Sequence, residues 1–183
     1  MPGPVFLSGD TVTLRPTERE DLDAIREWVN DPAVWRPAMD AKPMNGDLAE
    51  EFFETVLTSE DDVHVTVCAD DEQVGHASLT TSEYGPTATE RARSVELAYY
   101  LDPDRHGQGY GSEAAELLVQ YAFEDWNMRR VFARAGDFND ASKALLESLG
   151  FQREGARRQA AYYRGDYHDM VLYGLLRAEW DGL

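Results

Sequence analysis

The stretch that decides the fold is Arg105-His106-Gly107-Gln108-Gly109-Tyr110-Gly111-Ser112. An apolar run over residues 95–101 precedes it, and an amphipathic segment from Ala114 to Trp126 follows it. This order predicts a strand, a glycine turn and a helix. A ligand can approach the backbone of such a turn closely, because glycine has no Cβ, and backbone N–H groups at a helix start bind phosphate well. The stretch therefore predicts a phosphate site, with a plain strand-to-helix turn as the alternative.

Length and cysteine content indicate a single intracellular domain. The chain has 183 residues, which favours one domain over residues 1–183. No segment reaches the ~20 apolar residues that span a bilayer, and the first residues lack the pattern of a secretory signal. The only cysteine, Cys68, cannot form an internal disulfide, so we expect a cytoplasmic protein. Cys68 itself reads as a small buried hydrophobe rather than a nucleophile.

The charge of the chain is extreme. The sequence has 35 acidic residues against 15 arginines and two lysines, for a net charge of −18. Repulsion on this scale destabilises a compact state at low salt, and salt screens it. Dispersed acids with scarce lysine are similar to proteins of salt-loving microbes. This charge also argues against a nucleic-acid partner, because phosphates would be repelled, and it would attract cationic substrates.

The rest of the chain alternates between strand and helix patterns. A capping box at Thr17-x-x-Glu20 predicts a helix through Val29 that ends before Pro32. Residues 82–93 are polar and predict a loop. We expect the other helices at 47–58, after the glycine turn and at 139–149, and strands at 11–15, 63–67, 74–80, 95–101, 130–135, 151–163 and 167–176. The sum is an α/β fold with a mixed sheet of six to seven strands and about four helices.

This order and several short motifs resemble the GNAT acetyltransferase superfamily over nearly the whole chain. The glycine turn is similar to the family's pyrophosphate loop, Gln/Arg-x-x-Gly-x-Gly/Ala, with His106 as a departure at the first position and Arg105 beside it. Further motifs resemble the RimJ/RimL branch, which acetylates the N-termini of ribosomal proteins. They are Leu14-Arg15-Pro16 with Asp21 and Trp28, Asn30-Asp31-Pro32 with Val34, Asn139-x-x-Ser142, Leu149-Gly150-Phe151, Glu154-Gly155 and Tyr163-Arg164-Gly165-x-Tyr167-x-Asp169.

The resemblance implies an N-acetyltransferase with a GNAT-like central sheet. Acetyl-CoA would be the cosubstrate, and the acceptor would be a protein N-terminal α-amine. A small amine, such as a polyamine or an amine-bearing antibiotic, is the alternative acceptor, and a non-catalytic CoA-binding module is the alternative from another class. A homodimer is possible. We expect no metal, since the four histidines are scattered without metal-ligand spacing, and no membrane partner.

The coenzyme site also follows from the resemblance. The strand before the turn would leave its neighbour, so that its backbone pairs with the pantetheine arm and one N–H polarises the thioester carbonyl. Core packing is the alternative for the two tyrosine side chains there. The residues expected at the coenzyme are Tyr99, Tyr100, Leu101, His106, Gly107, Gln108, Gly109, Tyr110, Gly111, Ser112 and Asn139. For Asn139, a plain helix cap is the alternative.

Two side chains are candidates for the chemistry. Glu96 lies in the apolar run before the turn and could take the amine proton, directly or through water; a structural acid in a salt bridge is the alternative. Many relatives place a tyrosine seven residues after the asparagine, as the acid that protonates the departing thiolate, but Leu146 stands there in this chain. Ser142, three residues after Asn139, is similar to the serine of the ribosomal-protein branch, and its hydroxyl would hydrogen-bond the sulfur or pass it a proton; an ordinary serine in the first turn of a helix is the alternative.

Overall fold

The computed structural model describes residues 3–39, 42–81 and 93–182. Within these ranges the chain forms an eight-stranded, mostly antiparallel sheet and five α-helices. The strands are β1 (Leu7–Ser8), β2 (Thr13–Pro16), β3 (Val63–Ala69), β4 (Glu72–Thr81), β5 (Ser94–Leu101), β6 (Arg130–Gly136), β7 (Gln152–Tyr163) and β8 (Asp166–Leu176). The helices are α1 (Leu22–Asn30), α2 (Pro32–Ala38), α3 (Gly46–Phe52), α4 (Tyr110–Glu124) and α5 (Asp140–Ser148). The predicted α/β class is confirmed, with slightly more strands than expected.

The chain divides into two compact units, residues 1–80 with 98–118 and residues 81–97 with 119–183. In the first unit β1 to β4 pair in sequence order, each antiparallel to the next. Helix α1 packs its apolar stripe into a cluster where Ile25 is fully buried, and burying such a side chain contributes roughly 1.5–3 kcal/mol. The cluster contains Leu22, Ile25, Trp28, Val34 and Leu57.

In the second unit, the order of the strands is β5, β6, β8, β7. Strand β5 pairs in parallel with β6 from Ser94↔Arg130 to Glu96↔Phe132, and the remaining pairs are antiparallel. Tyr173 on β8 is 1% exposed and its hydroxyl donates to Glu147 of α5 over 2.8 Å. Gly150 closes α5 with a φ of +86°, as the sequence predicted for a residue just past a helix end.

Several predictions of where helices begin and end were wrong. Glu20 does not form the capping box with Thr17; instead, the backbone N–H of Glu18 donates to the Asp21 carboxylate over 3.0 Å. Pro32 does end α1, but it also begins α2, since proline suits the first turn of a helix and the Asp31 side chain caps that turn. The helix predicted at 47–58 is α3 followed by a π-helical turn, Phe53–Leu57. The predicted loop at 82–93 lies outside the described residues, except for Arg93.

The negative charge is concentrated in the first unit. That unit has 22 acidic and six basic residues, for a net charge of −16, whereas the second has 13 acidic and 11 basic residues, for a net charge of −2. Ion pairs neutralise only part of the excess, such as Arg19 with Glu50 and Glu54. Exposed pairs of this kind contribute little stability, so repulsion within the first unit is the larger electrostatic effect.

This charge distribution predicts a salt-dependent fold. We expect the melting temperature and the activity to rise together from dilute buffer to about 1 M KCl, where the Debye length falls to about 3 Å. Thermal melts and rates over one salt series measure both. A flat melting temperature with a rising KM for a cationic acceptor would show instead that the acids mainly attract the acceptor.

Candidate active site

The turn after β5 is built by short-range hydrogen bonds. The N–H of Asp102 donates to the carbonyl of Val74 over 2.9 Å, which ends β5 against β4. The Asp102 carboxylate then accepts from the N–H of Asp104 at 2.9 Å and caps a single 3₁₀ turn, Pro103–Arg105. The backbone is therefore fixed on the approach to the glycines.

The glycine turn exposes its backbone. Gly107 and Gly109 have φ angles of +75° and +86°, the left-handed region that favours glycine. A Cβ at either position would meet no protein atom within 4 Å, and residues 106–109 are all exposed. Helix α4 begins at Tyr110, so the first N–H groups of a 15-residue helix face this open space. The arrangement suits an anion such as a pyrophosphate.

The basic residues beside the turn have other contacts. Arg105 forms an ion pair with Glu72 at 2.5 Å, and His106 Nε2 lies 3.4 Å from the carbonyl oxygen of Leu101. The Arg105 guanidinium is thus engaged by an acid, and the His106 ring lies against the backbone. Binding of phosphate at this turn would therefore depend mainly on backbone N–H groups.

Glu113 anchors the first turn of α4. Its carboxylate accepts hydrogen bonds from the backbone N–H of Thr11, at 2.9 Å, and from the Thr11 hydroxyl. Burial opposes ionisation of Glu113, but these hydrogen bonds outweigh burial and lower its pKa. An ionised acid in a first turn also interacts favourably with the helix dipole. Glu113 thus fixes the helix end that carries the glycine turn.

The end of β5 lies tightly against β4. A Cβ at Gly75 would come within 2.5 Å of the Tyr100 carbonyl oxygen and 3.0 Å of the Leu101 Cα. Tyr99, Tyr100 and Leu101 are half-buried. On the side-chain level, Tyr100 stacks on His76 with 5.3 Å between ring centroids and meets Trp28 edge-on at 6.5 Å. Core packing, the alternative for the Tyr100 side chain, describes these contacts.

A half-buried histidine, His64, and a buried one, His76, extend this stack, and the sequence did not single them out for a function. His64 on β3 stacks on His76 on β4 with centroids 5.7 Å apart. Both ring nitrogens of His64 and Nε2 of His76 are buried without a hydrogen-bond partner. Burial lowers the pKa of His64, and burial together with His64 lowers the pKa of His76 to about 3. The only sequence signal was that both lie in apolar strands, where a neutral imidazole is expected.

In the second unit, Glu96 is held by arginine. The Arg134 guanidinium donates from Nε to Glu96 Oε1 at 2.6 Å and from Nη2 to Oε2 at 3.1 Å. Both carboxylate oxygens therefore accept from one guanidinium in a bidentate, charge-assisted contact. This contact is the salt-bridged alternative that the sequence left open. The role of Glu96 as a base stays a prediction.

The turn between β6 and α5 places the other predicted residues. Asn139 Oδ1 accepts from the backbone N–H of Ser142 at 3.2 Å, so Asn139 is the helix cap. Its contact with the coenzyme stays a prediction, as does the role of the half-buried Ser142. Leu146 is 1% exposed and packs in the core. An aliphatic side chain there cannot donate the proton that the family's tyrosine provides.

No group of three or more His, Cys, Asp or Glu side chains within residues 3–39, 42–81 and 93–182 could hold a metal ion. No helix in the described part of the chain has both the length and the apolar surface to cross a bilayer. Cys68 is buried, and burial raises its pKa to about 11, as expected of a small core residue rather than a nucleophile.

The described residues thus form a mixed α/β sheet with an exposed glycine turn at the start of a long helix. Residues 11–152 match the profile of the acetyltransferase (GNAT) domain. The chain belongs to this family and is an N-acetyltransferase. The family resemblance predicted from the motifs is confirmed.

Known relatives point to two kinds of acceptor. The putative ribosomal N-acetyltransferase YdaF of Bacillus subtilis is 38% identical over 90 residues, about half of either chain. The spermidine N-acetyltransferase of Vibrio cholerae, solved with CoA and spermine, superimposes with a TM-score of 0.82 at 21% identity over 93% of this chain and 98% of that one. RimL, the ribosomal L7/L12 α-N-protein acetyltransferase solved with coenzyme A, gives 0.80 at 21% identity over 94% and 98%. The two structures establish the fold alone.

The buried His76 predicts a pH-dependent stability. Its folded pKa of about 3 lies below the ordinary 6.5, so below pH 6.5 the unfolded chain binds a proton that the folded protein excludes. The free energy of unfolding should therefore fall as the pH drops, by up to ~1.4 kcal/mol per pH unit from this group. Urea melts at pH 7, 6 and 5 measure it. His76→Phe keeps a stacked ring but cannot ionise, so the wild type should lose stability against this variant on acidification. Parallel curves would contradict the assignment.

Proposed function

We propose that the protein transfers the acetyl group of acetyl-CoA directly to a primary amine, with a protein N-terminal α-amine as the acceptor. The observation that carries the coenzyme assignment is the exposed turn with two left-handed glycines at the start of α4. Backbone N–H groups of residues 107–112 would hold the pyrophosphate. Structures of relatives with bound CoA support the choice of coenzyme.

The remaining site residues receive proposed roles from the family. Residues 99–101 would lie beside the pantetheine arm, and a backbone N–H there would stabilise the oxyanion of the tetrahedral intermediate. Asn139 would contact the coenzyme while its Oδ1 caps α5. Ser142 would assist the departure of the thiolate. Glu96 is the sequence-based candidate for the proton acceptor, and it could serve only when Arg134 releases one of its oxygens.

An α-amine acceptor suits these groups. A lysine-type amine has a pKa near 10.4, whereas an α-amine has a pKa of about 7.7–8.0. A substantial fraction of an α-amine is therefore neutral near pH 8, so that the enzyme needs only modest base catalysis. The similarity to the putative ribosomal N-acetyltransferase YdaF supports the same class of acceptor.

A small polycationic amine is the second candidate acceptor, and a cleft in the first unit favours it. The cleft beside α1 has a volume of about 780 Å³. Four acids, Glu20, Asp23, Glu27 and Asp31, line it together with Arg26, which pairs with Asp23. The spermidine N(1)-acetyltransferase of Escherichia coli is 23% identical over 90% of this chain. A net charge of −16 in this unit would attract a polyamine at low salt.

A screen for thiol release tests the proposed function. Purified protein with acetyl-CoA should release free thiol with a peptide that has a free N-terminus, and more slowly with spermidine. The same peptide with an acetylated N-terminus is the control, because it lacks the amine. Faster turnover of spermidine would select the second candidate. If the protein binds the coenzyme but releases no thiol with the peptide or with spermidine, it is a CoA-binding module without acetyltransferase activity on these amines.

The coenzyme site has its own test in Gly109→Ala. Alanine at a φ of +86° costs roughly 1–2 kcal/mol of backbone strain, and its Cβ would project toward the bound phosphates. We expect calorimetry to show a large loss of acetyl-CoA affinity. Gly150→Ala is the matched control, because Gly150 has the same φ of +86° but closes α5. It should lose similar stability and keep its affinity. Equal affinities in the two variants would contradict the assignment.

A further inference from the structure

A carboxylate and an imidazole meet beside the turn that leads into α5. Asp137 is the first residue after β6, and His168 lies near the start of β8. His168 Nδ1 is 2.9 Å from Asp137 Oδ1. The backbone of the next residue completes the contact, because the N–H of Asp169 donates to Asp137 Oδ2 at 3.1 Å and its carbonyl accepts from the N–H of Asp137 at 2.9 Å. Both carboxylate oxygens are thus fixed by donors from β8.

The geometry defines the tautomer of the imidazole. An ionised carboxylate can only accept, so the hydrogen bond to Asp137 requires the proton on Nδ1. The backbone N–H of Asp169, and after it the His168 imidazole, lower the pKa of Asp137 and keep it ionised. The lone pair of the neutral ring therefore lies on Nε2. This orientation of histidine by a carboxylate is the one that prepares an imidazole for general-base work.

Aromatic rings hold the imidazole in place. Phe138 meets His168 edge-on with centroids 4.9 Å apart, and Tyr163 does the same at 5.9 Å. Phe138 and Tyr163 themselves stack in parallel at 4.0 Å. The side chain of His168 nevertheless keeps 26% of its surface exposed. The ring is therefore oriented on three sides and can still exchange a proton with a substrate or with water.

In sequence, Asp137 comes just before two of the predicted site residues of the second unit. Asn139, the cap of α5, comes two residues after Asp137, and Ser142 follows in the first turn of the helix. The other charged groups around the pair are Lys143, whose Nζ donates to the Asp137 backbone carbonyl at 2.5 Å, and Arg164 over the Tyr163 ring at 5.5 Å. Asp169 directs its own carboxylate away, because Oδ1 accepts from the N–H of Gln159 at 2.9 Å.

We propose that His168, oriented by Asp137, is the base that takes the proton from the acceptor amine, and this role rests on the acetyltransferase function proposed above. Nε2 takes one proton from the bound ammonium and passes it to water, which leaves a neutral amine. The nitrogen lone pair forms the C–N bond at the thioester carbonyl. The C–S bond breaks as the carbonyl reforms, and the second amine proton reaches the departing thiolate through Ser142. Atoms and charge balance without a further reactant.

Competing bases in the second unit are less well placed. Glu96 has both oxygens on Arg134, and transfer of a proton to it would break a charge-assisted bidentate contact. In the first unit, His64 and His76 are buried in a stack, and burial holds the pKa of each below its ordinary value. The Asp137–His168 pair instead combines a defined tautomer with an accessible ring.

Two substitutions of His168 distinguish a catalytic base from a residue that only stabilises the local structure. His168→Asn retains an N–H that can donate to Asp137, but it has no basic nitrogen, whereas His168→Ala removes both. We expect kcat at saturating peptide and acetyl-CoA to fall about 10²–10⁴-fold in both variants. In His168→Asn this loss should shrink as the pH rises through the pKa of the α-amine, about 7.7–8.0, because more of the amine is then already neutral, while the melting temperature and the affinity for acetyl-CoA stay near wild type. Glu96→Gln is measured in parallel as the competing candidate.

The outcomes distinguish this role from the function on which it rests. Suppose that the wild type is active, that His168→Asn keeps the wild-type dependence of kcat on pH, and that only His168→Ala loses rate. His168 would then have a structural role only, and the proposal would be overturned. A loss of rate that shrinks at high pH in Glu96→Gln but not in His168→Asn would assign the base to Glu96 and also overturn it. A wild type that binds acetyl-CoA but releases no thiol with the peptide or with spermidine would overturn the acetyltransferase function itself, and this proposal with it.

Discussion

The backbone contact between Gly75 and the end of β5 is the constraint on which the candidate site depends. A Cβ at Gly75 would clash with the Tyr100 carbonyl and with Leu101, so only glycine lets β4 approach this closely. The N–H of Asp102 bonds to Val74 at the same point. Because the 3₁₀ turn and the glycine turn follow within a few residues, this approach determines where the backbone N–H groups at the start of α4 are presented.

Much of the fold could be predicted from periodicity and turn chemistry. The alternating run before the glycine turn, the amphipathic segment after it and the glycine after α5 all gave correct elements, because each pattern reports burial of one face. Strand β1 was missed, since two residues, Leu7 and Ser8, carry no measurable period. Helix α2 was missed because Pro32 was taken as a stop, although a proline with a capping aspartate before it also begins a helix.

Candidate site residues could be placed from the sequence only where they lie at the ends of local elements. Local pattern predicted the glycine turn and the helix cap at Asn139, whereas the roles of Asn139 and Ser142 at the coenzyme came from the family resemblance and stay predictions. The Glu96–Arg134 and Asp137–His168 contacts join residues 38 and 31 positions apart. Each depends on strand register: β5 against β6 for the first pair, and β6 against β8 for the second. A one-residue slip of either register would turn the side chains to opposite faces, and a single sequence does not reveal register.

The departures from the family pattern concern the proton-transfer groups. Leu146 packs in the core at the position where many relatives have a tyrosine, so α5 offers no acid at that turn, and the part of the half-buried Ser142 in thiolate departure is a proposal. Both oxygens of Glu96 accept from Arg134 within the sheet. Asp137 and His168 meet between the end of β6 and the start of β8, with part of the His168 side chain exposed. We therefore propose that proton transfer is supplied from the strand ends around α5 rather than from the middle of β5.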